Sequence, residues 1–213
     1  MNIVTKLCIL QDQIMNITGT KLYKQAFTQN LSVDLATFHT RERATQHSHS
    51  AAINLENPET RKHISQYLNH GLNPVTTIGT RDVVDKNTNV YPTLNNIIDT
   101  VGLAQCQSVL MCQYPGMYQL RHTDKLATYG DADPDTLMRL MIFLTPQTCG
   151  QFLQWGDDCI TGAEPGDLLV WDWPTVPHAT ANASDEARVM LRLTGIITEK
   201  TTDFFNKISI DIV

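Results

Sequence analysis

The stretch Tyr118-Gln119-Leu120-Arg121-His122-Thr123-Asp124, read together with His178 further along, decides the fold. Side chains alternate along a strand, so His122 and Asp124 are expected on one face and Thr123 on the other. For this pair to meet His178, the chain must leave, travel around and return beside its starting point. The intervening sequence has room for that circuit. Apolar and β-branched runs predict strands at 137–145, 151–155, 158–161 and 167–172, before one at 176–181 that carries His178. Further strands are expected at 107–114, 117–125 and 187–198. Turn residues separate them: Pro115-Gly116, Asp131 through Asp135, Cys149-Gly150, Gly156-Asp157-Asp158, Pro165-Gly166 and Ala183-Ser184-Asp185. Short strands at this spacing predict a mainly β chain folded as a jelly roll, the architecture of cupins.

The region before Ala104 has a different texture. Thr60 to Leu68 and Tyr91 to Val101 have helix-like apolar spacing, so helices are expected to flank the barrel. Residues 36–56 are polar and include His39, His47 and His49, which suggests a loop or lid. No linker interrupts the chain. Residues 1–213 are therefore read as one domain, with 1–103 as support, 104–198 as the jelly-roll core and 199–213 as a C-terminal extension.

Composition narrows the function classes. Hydrophobic residues make up 42% and charged residues 18% of the 213, the balance of a folded globular protein rather than a disordered one. The net charge of -6, without a dense Lys/Arg run, argues against nucleic acid as partner. No stretch reaches the ~18 apolar residues of a membrane helix. The apolar run after Lys6 ends at Gln11 and Asp12 with no small-residue cleavage site, so it does not read as a signal peptide. Five cysteines without a Cys-x-x-Cys pair read as reduced thiols, which places the protein in the cytoplasm.

Two imidazoles and one carboxylate suit a borderline metal such as Fe(II), and they leave about three octahedral positions open. Neither His-x-Asp nor a single histidine is specific by itself. The combination, in this order on jelly-roll strands, is what points to a metal site at His122, Asp124 and His178. His47-Ser48-His49 has ligand spacing too, but no carboxylate accompanies it at strand spacing.

The last strand adds a second chemistry. In Ala187-Arg188-Val189-Met190-Leu191-Arg192-Leu193-Thr194, one face is wholly apolar and the other carries both arginines. A buried arginine needs an anionic partner, because an unpaired buried charge is costly. A bound dicarboxylate could be that partner.

At this point the chain resembles the Fe(II)/2-oxoglutarate-dependent oxygenases of the double-stranded β-helix fold, over residues 107–197. His122, Asp124 and His178 match that superfamily's iron ligands. Arg188, ten residues past the distal histidine, matches its usual anchor for the 2-oxoglutarate C5 carboxylate. Pro115-Gly116, Arg139, Gly166-Asp167, Asn182 four residues after His178, and Arg188-Val189-Met190-Leu191 are similar to aspartyl/asparaginyl β-hydroxylase-like members, and prolyl hydroxylase-like members share the pattern. The aspartyl/asparaginyl β-hydroxylases lack the acidic ligand, whereas Asp124 is present here. That departure argues against their substrate, and against a halogenase.

The resemblance implies Fe(II), 2-oxoglutarate and O2 as cofactor and co-substrates, with ascorbate as an additive in vitro. It implies hydroxylation of an amino-acid residue in a peptide or protein, or of a small amino-acid-like substrate. Oxygenases of this size also resemble proteins of bacteria and their phages, so action in a host cytoplasm is a further expectation. Arg139 is expected at the C1 carboxylate or in a structural ion pair. Tyr118, by parity with His122, is expected at the substrate, as are Gln113, Arg192 and Trp171. Two rival readings remain at this stage. One is a cupin-like metalloenzyme without 2-oxoglutarate, which would have no need of Arg188. The other is a non-catalytic jelly-roll binding protein, which would have no need of three ligands.

Overall fold

The computed structural model describes residues 20–41, 44–47, 77–124 and 133–208, together with Ser65 and Asn69. The elements in chain order are β1 (Thr20–Tyr23), α1 (Ser32–Thr40), β2 (Ala44–His47), β3 (Thr77–Val83), α2 (Pro92–Val101), β4 (Ala104–Gln113) and β5 (Tyr118–His122). After a 3-10 turn come β6 (Leu137–Phe143), β7 (Gln151–Trp155), β8 (Asp158–Cys159), β9 (Leu168–Trp171), β10 (His178–Asn182), β11 (Arg188–Ile196) and α3 (Glu199–Lys207). Each of the eight strands expected from Gln107 onward is present. The helix expected near 91–101 is also present, opening with Pro92 in its first turn and closing at Gly102 in a left-handed conformation.

The strands form two antiparallel sheets. The larger has the order β1-β9-β6-β11-β4-β3-β2 and the smaller β5-β10-β7-β8. Their alternation sorts the side chains into two cores. Val189, Leu191 and Leu193 on β11, with Leu110, Leu140, Ile142 and Val170, face away from the smaller sheet and pack under the helices. Met141, Phe143, Leu169 and Met190 point between the sheets, against Leu153 and Trp155. The apolar face of β11 is thus covered by α2, α3 and the segment after β1, where Phe27 stacks on Phe204 and Tyr23 meets Phe205 edge-on. The segment read as a C-terminal extension therefore supplies core through α3, whose start is capped by the Thr198 hydroxyl accepting from the Thr201 N–H.

The N-terminal region departs from expectation. β1, β2 and β3 all extend the larger sheet, where helical or mixed support and a lid were anticipated and no strand was placed. Two of the three are four-residue strands, too short to show alternation in sequence. Residues 32–40, partly assigned to the polar lid, form α1, and 44–47 pair with β3. The rest of that segment, including His49, and most of the helix expected at 60–68 lie outside the described residues.

Two turns fix how the N-terminal strand meets the barrel. Gly166 sits at φ +92°, and a Cβ there would lie 1.9 Å from the Phe27 carbonyl oxygen, so only glycine fits. Next to it, buried Asp167 accepts from Lys24 Nζ at 2.7 Å and from the Gln25 and Glu164 N–H groups at 2.8 Å. On the other side, Asn182 binds the Pro115-Gly116 turn: its carbonyl accepts from Gly116 N–H, and its amide donates to the Gln113 carbonyl at 2.8 Å. These contacts account for the Gly-Asp and His-to-Asn spacings noted in the sequence.

Candidate metal centre

His122 ends β5 and His178 begins β10, and the two are direct cross-strand partners. Asp124 lies two residues past the end of β5. The ligand-capable atoms of the three residues all fall within 4.8 Å of one another. Asp124 Oδ1 is 3.9 Å from His122 Nε2, and Oδ2 is 3.8 Å from His178 Nε2. The two rings lie tilted at 55° with centroids 4.4 Å apart.

The local electrostatics favour a cation here. Asp124 Oδ2 is buried and, among the described residues, has no hydrogen-bond partner. An unsatisfied buried carboxylate oxygen is expensive unless something positive completes it. Burial alone would raise the Asp124 carboxyl, but Arg139, with His178 and His122, holds it below the usual carboxylate range. Burial pushes His178 down to about 4, against the pull of Asp124, so its imidazole is neutral and its lone pair available near pH 7. An orphaned carboxylate oxygen between two imidazoles fits a divalent metal.

Side chains behind the ligands fix their orientation. Arg139 Nη1 donates to Asp124 Oδ1 at 2.8 Å, while its Nε donates to Thr194 Oγ1 at 3.0 Å. Of the two places expected for Arg139, the C1 carboxylate or an ion pair, the structure shows the ion pair, with Asp124. Trp155 stacks on His178 at 4.8 Å with an 8° interplanar angle, and Trp171 packs edge-on at 5.6 Å. Both indoles are almost fully buried. The expectation that Trp171 meets substrate is thereby corrected: it walls the distal histidine from behind.

The parity argument for Tyr118 fails for a specific reason. His178 pairs with His122, but Thr180 pairs with Gln119, so β5 spends three residues where β10 spends two. This bulge turns Gln119 inward, where its amide nitrogen lies 2.8 Å from His122 Nε2. Tyr118 instead lines up with Ala181 and the exposed Phe152 on the outer face. Gln119 and Trp155 are the site residues that sequence reasoning missed. A strand register with a bulge cannot be read from alternation alone.

From His178 a narrow cavity of about 40 Å³ runs along Thr180, Met190 and Leu153 to Arg188. Arg188 is buried, and burial pushes its guanidinium down to about 10. Nη2 donates to Gln113 Oε1, and Nη1 donates to the Phe152 carbonyl at 3.3 Å. Gln113 also donates to Thr180 Oγ1 at 3.1 Å. Its expected substrate contact is therefore replaced by a role in holding Arg188. Arg192, on the same strand face, stands opposite Val109 and Met141, beside Asp124 and Arg139 rather than beside Arg188.

With this geometry in place, the chain is recognisable as a double-stranded β-helix of the kind found in 2-oxoglutarate oxygenases and cupins. It is similar in structure to a Pseudomonas putida prolyl-4-hydroxylase, with a TM-score of 0.52, 15% identity, and 90% of this chain and 99% of that one covered. It is likewise similar to a Trichoplax adhaerens prolyl hydroxylase solved with a hypoxia inducible factor oxygen degradation domain peptide (TM-score 0.57, 12% identity, 92% and 91% covered). The non-heme α-ketoglutarate-dependent epimerase SnoN of nogalamycin biosynthesis also matches, at TM-score 0.56 and 12% identity over 90% of this chain and 82% of that one. At these identities the likeness establishes the fold. No protein-family model and no curated protein sequence matches the chain.

Proposed function

We propose that this chain is an Fe(II)- and 2-oxoglutarate-dependent dioxygenase. Its proposed reaction is hydroxylation of an amino-acid residue in a peptide or protein, or of a small amino-acid-like substrate. The observation that carries the reading is the meeting of His122, Asp124 and His178, with an unsatisfied Asp124 oxygen between the two imidazoles. His122, Asp124 and His178 would hold the iron. Arg188, steadied by Gln113, would receive the far carboxylate of 2-oxoglutarate at the closed end of the cavity, as a charge-assisted contact. Together these groups supply a reaction in which O2 oxidatively decarboxylates 2-oxoglutarate to succinate and CO2 and hydroxylates the substrate.

The protein's share of that chemistry is positional. Arg139 keeps Asp124 ionised and turned toward the ion. Trp155 and Trp171 fix the His178 ring and keep water from it. A cupin-type enzyme without 2-oxoglutarate gives no use to a buried guanidinium at the end of a slot that starts at the metal ligands. The Trichoplax neighbour, a complex with a peptide, supports a peptide as one form of substrate.

The test is direct. Fe(II) and 2-oxoglutarate added anaerobically should produce a weak visible charge-transfer band. Succinate release in air, with ascorbate present, should rise with a true substrate, whose product mass increases by one oxygen. Absence of both the band and any succinate would overturn the assignment.

A further inference from the structure

We infer that Arg192 and Arg81 form an anion site on the open side of the metal centre, and that it selects substrates carrying a carboxylate there. This inference rests on the reading above and names the substrate class for the same site.

Arg188 and Arg192 lie four residues apart on β11, so at ~3.3 Å per residue their Cα atoms are about 13 Å apart. Their surroundings do not overlap. Arg188 faces Gln113 and the Phe152 carbonyl at the closed end. Arg192 is within electrostatic reach of Arg139, Asp124 and Arg81. One small dicarboxylate anchored at Arg188 therefore leaves Arg192 unanswered. Among the described residues, no carboxylate or carbonyl accepts a hydrogen bond from the Arg192 guanidinium. The acid nearest to it, Asp124, already receives Arg139.

Arg81 reaches the same region from β3, where it pairs with Met111 on the neighbouring strand and is exposed. Arg81, Arg139 and Arg192 thus bring three guanidinium groups to one face of the larger sheet, where Arg139 alone is paired with Asp124. A ferrous ion and 2-oxoglutarate bring equal and opposite charge, so they leave this positive excess as it was. The excess runs against the chain's overall charge of -6. A local basic surface on an acidic protein suits a small anion better than a polyanion, which the overall field repels. Two planar guanidinium forks match a carboxylate bidentately. Val83, 66% exposed, with partly buried Val109 and Met111, offers apolar surface beside them for the rest of an amino-acid-like substrate.

The test uses the full chain loaded with Mn(II) and 2-oxoglutarate, which binds without turnover. N-acetylvaline and N-acetylvalinamide, which differ in the charged group, are titrated by calorimetry. The acid should bind at least ten-fold more tightly than the amide. Arg192→Gln and, separately, the surface variant Arg81→Gln should each erase most of that preference, and Arg192→Lys should restore part of it. Binding of 2-oxoglutarate should stay within about two-fold in all three variants, while Arg188→Gln should weaken it roughly 10- to 100-fold. Equal binding of acid and amide overturns the anion site. So does a loss of 2-oxoglutarate affinity in Arg192→Gln matching that in Arg188→Gln, because Arg192 would then serve the co-substrate. Tighter binding of phenyl phosphate or of a single-stranded oligonucleotide than of N-acetylvaline overturns the carboxylate assignment. Failure of the wild type to bind 2-oxoglutarate at all counts instead against the oxygenase reading.

Discussion

At the scale of single residues, the division of labour between Arg188 and the three ligands can be separated by measurement. Arg188→Gln removes a charge-assisted contact worth ~1.5–3 kcal/mol, so 2-oxoglutarate affinity should fall roughly 10- to 100-fold. Mn(II) affinity, measured without co-substrate, should change by less than about two-fold. Asp124→Asn should do the reverse, weakening Mn(II) first. His178 gives a pH test on metal-free protein. Burial pushes its imidazole down to about 4 in the folded chain, against the ordinary 6.5. Between those limits the unfolded chain binds a proton that the folded one refuses, so stability falls as pH drops from 6.5 toward 4. The loss is on the order of 3 kcal/mol. Urea melts at pH 7 and pH 4.5 should show it, and His178→Asn should flatten most of the difference.

The meeting of His122, Asp124 and His178, the proposed ligands, and the buried Arg188 were legible in the sequence because each needs a particular chemical group at a particular strand position. Trp155 and Gln119 were not, because their importance comes from which neighbour the register presents to them. Gln113 faced inward as parity suggested, yet its amide is taken up by Arg188.

Among the secondary-structure elements, stability depends on a few buried polar contacts more than on propensity. Asp34, on α1, is buried, and its Oδ2 accepts from the Leu94 N–H at 2.8 Å at the start of α2. It supplies from another helix the cap that Tyr91, at the N-cap position, cannot give. Asp34→Ala should cost ~1–2 kcal/mol in urea denaturation, in the range of lost N-caps, with metal affinity unchanged. Gly166→Ala should cost more, about 3 kcal/mol, because both the positive φ and the Phe27 carbonyl oppose a Cβ. The strands of the barrel proper could be read from the sequence because their apolar runs are bounded by turn residues. β1 could not, since it is held by Asp167 and by pairing with β9 rather than by its own pattern.

For the molecule as a whole, the larger sheet is a platform whose two faces do different work. Its outer face is sealed by helices, and its inner face carries Arg139, Arg188 and Arg192 toward the smaller sheet. The ligands come from that smaller sheet and the segment just beyond it. A metal seated there ties together β5 and β10 and draws on Arg139 of β6, so binding should be read out globally. With Mn(II) alone at about 100 times its Kd, mass action adds ~2.7 kcal/mol. For a domain of this size that corresponds to an increase in Tm of roughly 5–10 °C. A calorimetric scan showing no shift with either ligand would count against the site. No described helix is long and apolar enough to cross a membrane.

The bulge in β5 has a consequence for how the centre can vary. Because Leu120 and Arg121 of β5 lie opposite the single Ala179 of β10, the side chains of Gln119 and His122 both turn to the interior. Removing one residue from that interval would restore regular pairing and leave His122 opposite His178 and Gln119 opposite Thr180. The interval can therefore lose one residue, but not both, without moving His122 off His178. Leu120 and Arg121 should accept varied substitutions with Mn(II) affinity retained, and a single deletion between Gln119 and His122 should keep most of it, whereas deletion of both should abolish it even where the protein still folds. Relatives of this chain should accordingly vary in the identity of these residues and carry one or two of them between the glutamine and histidine positions.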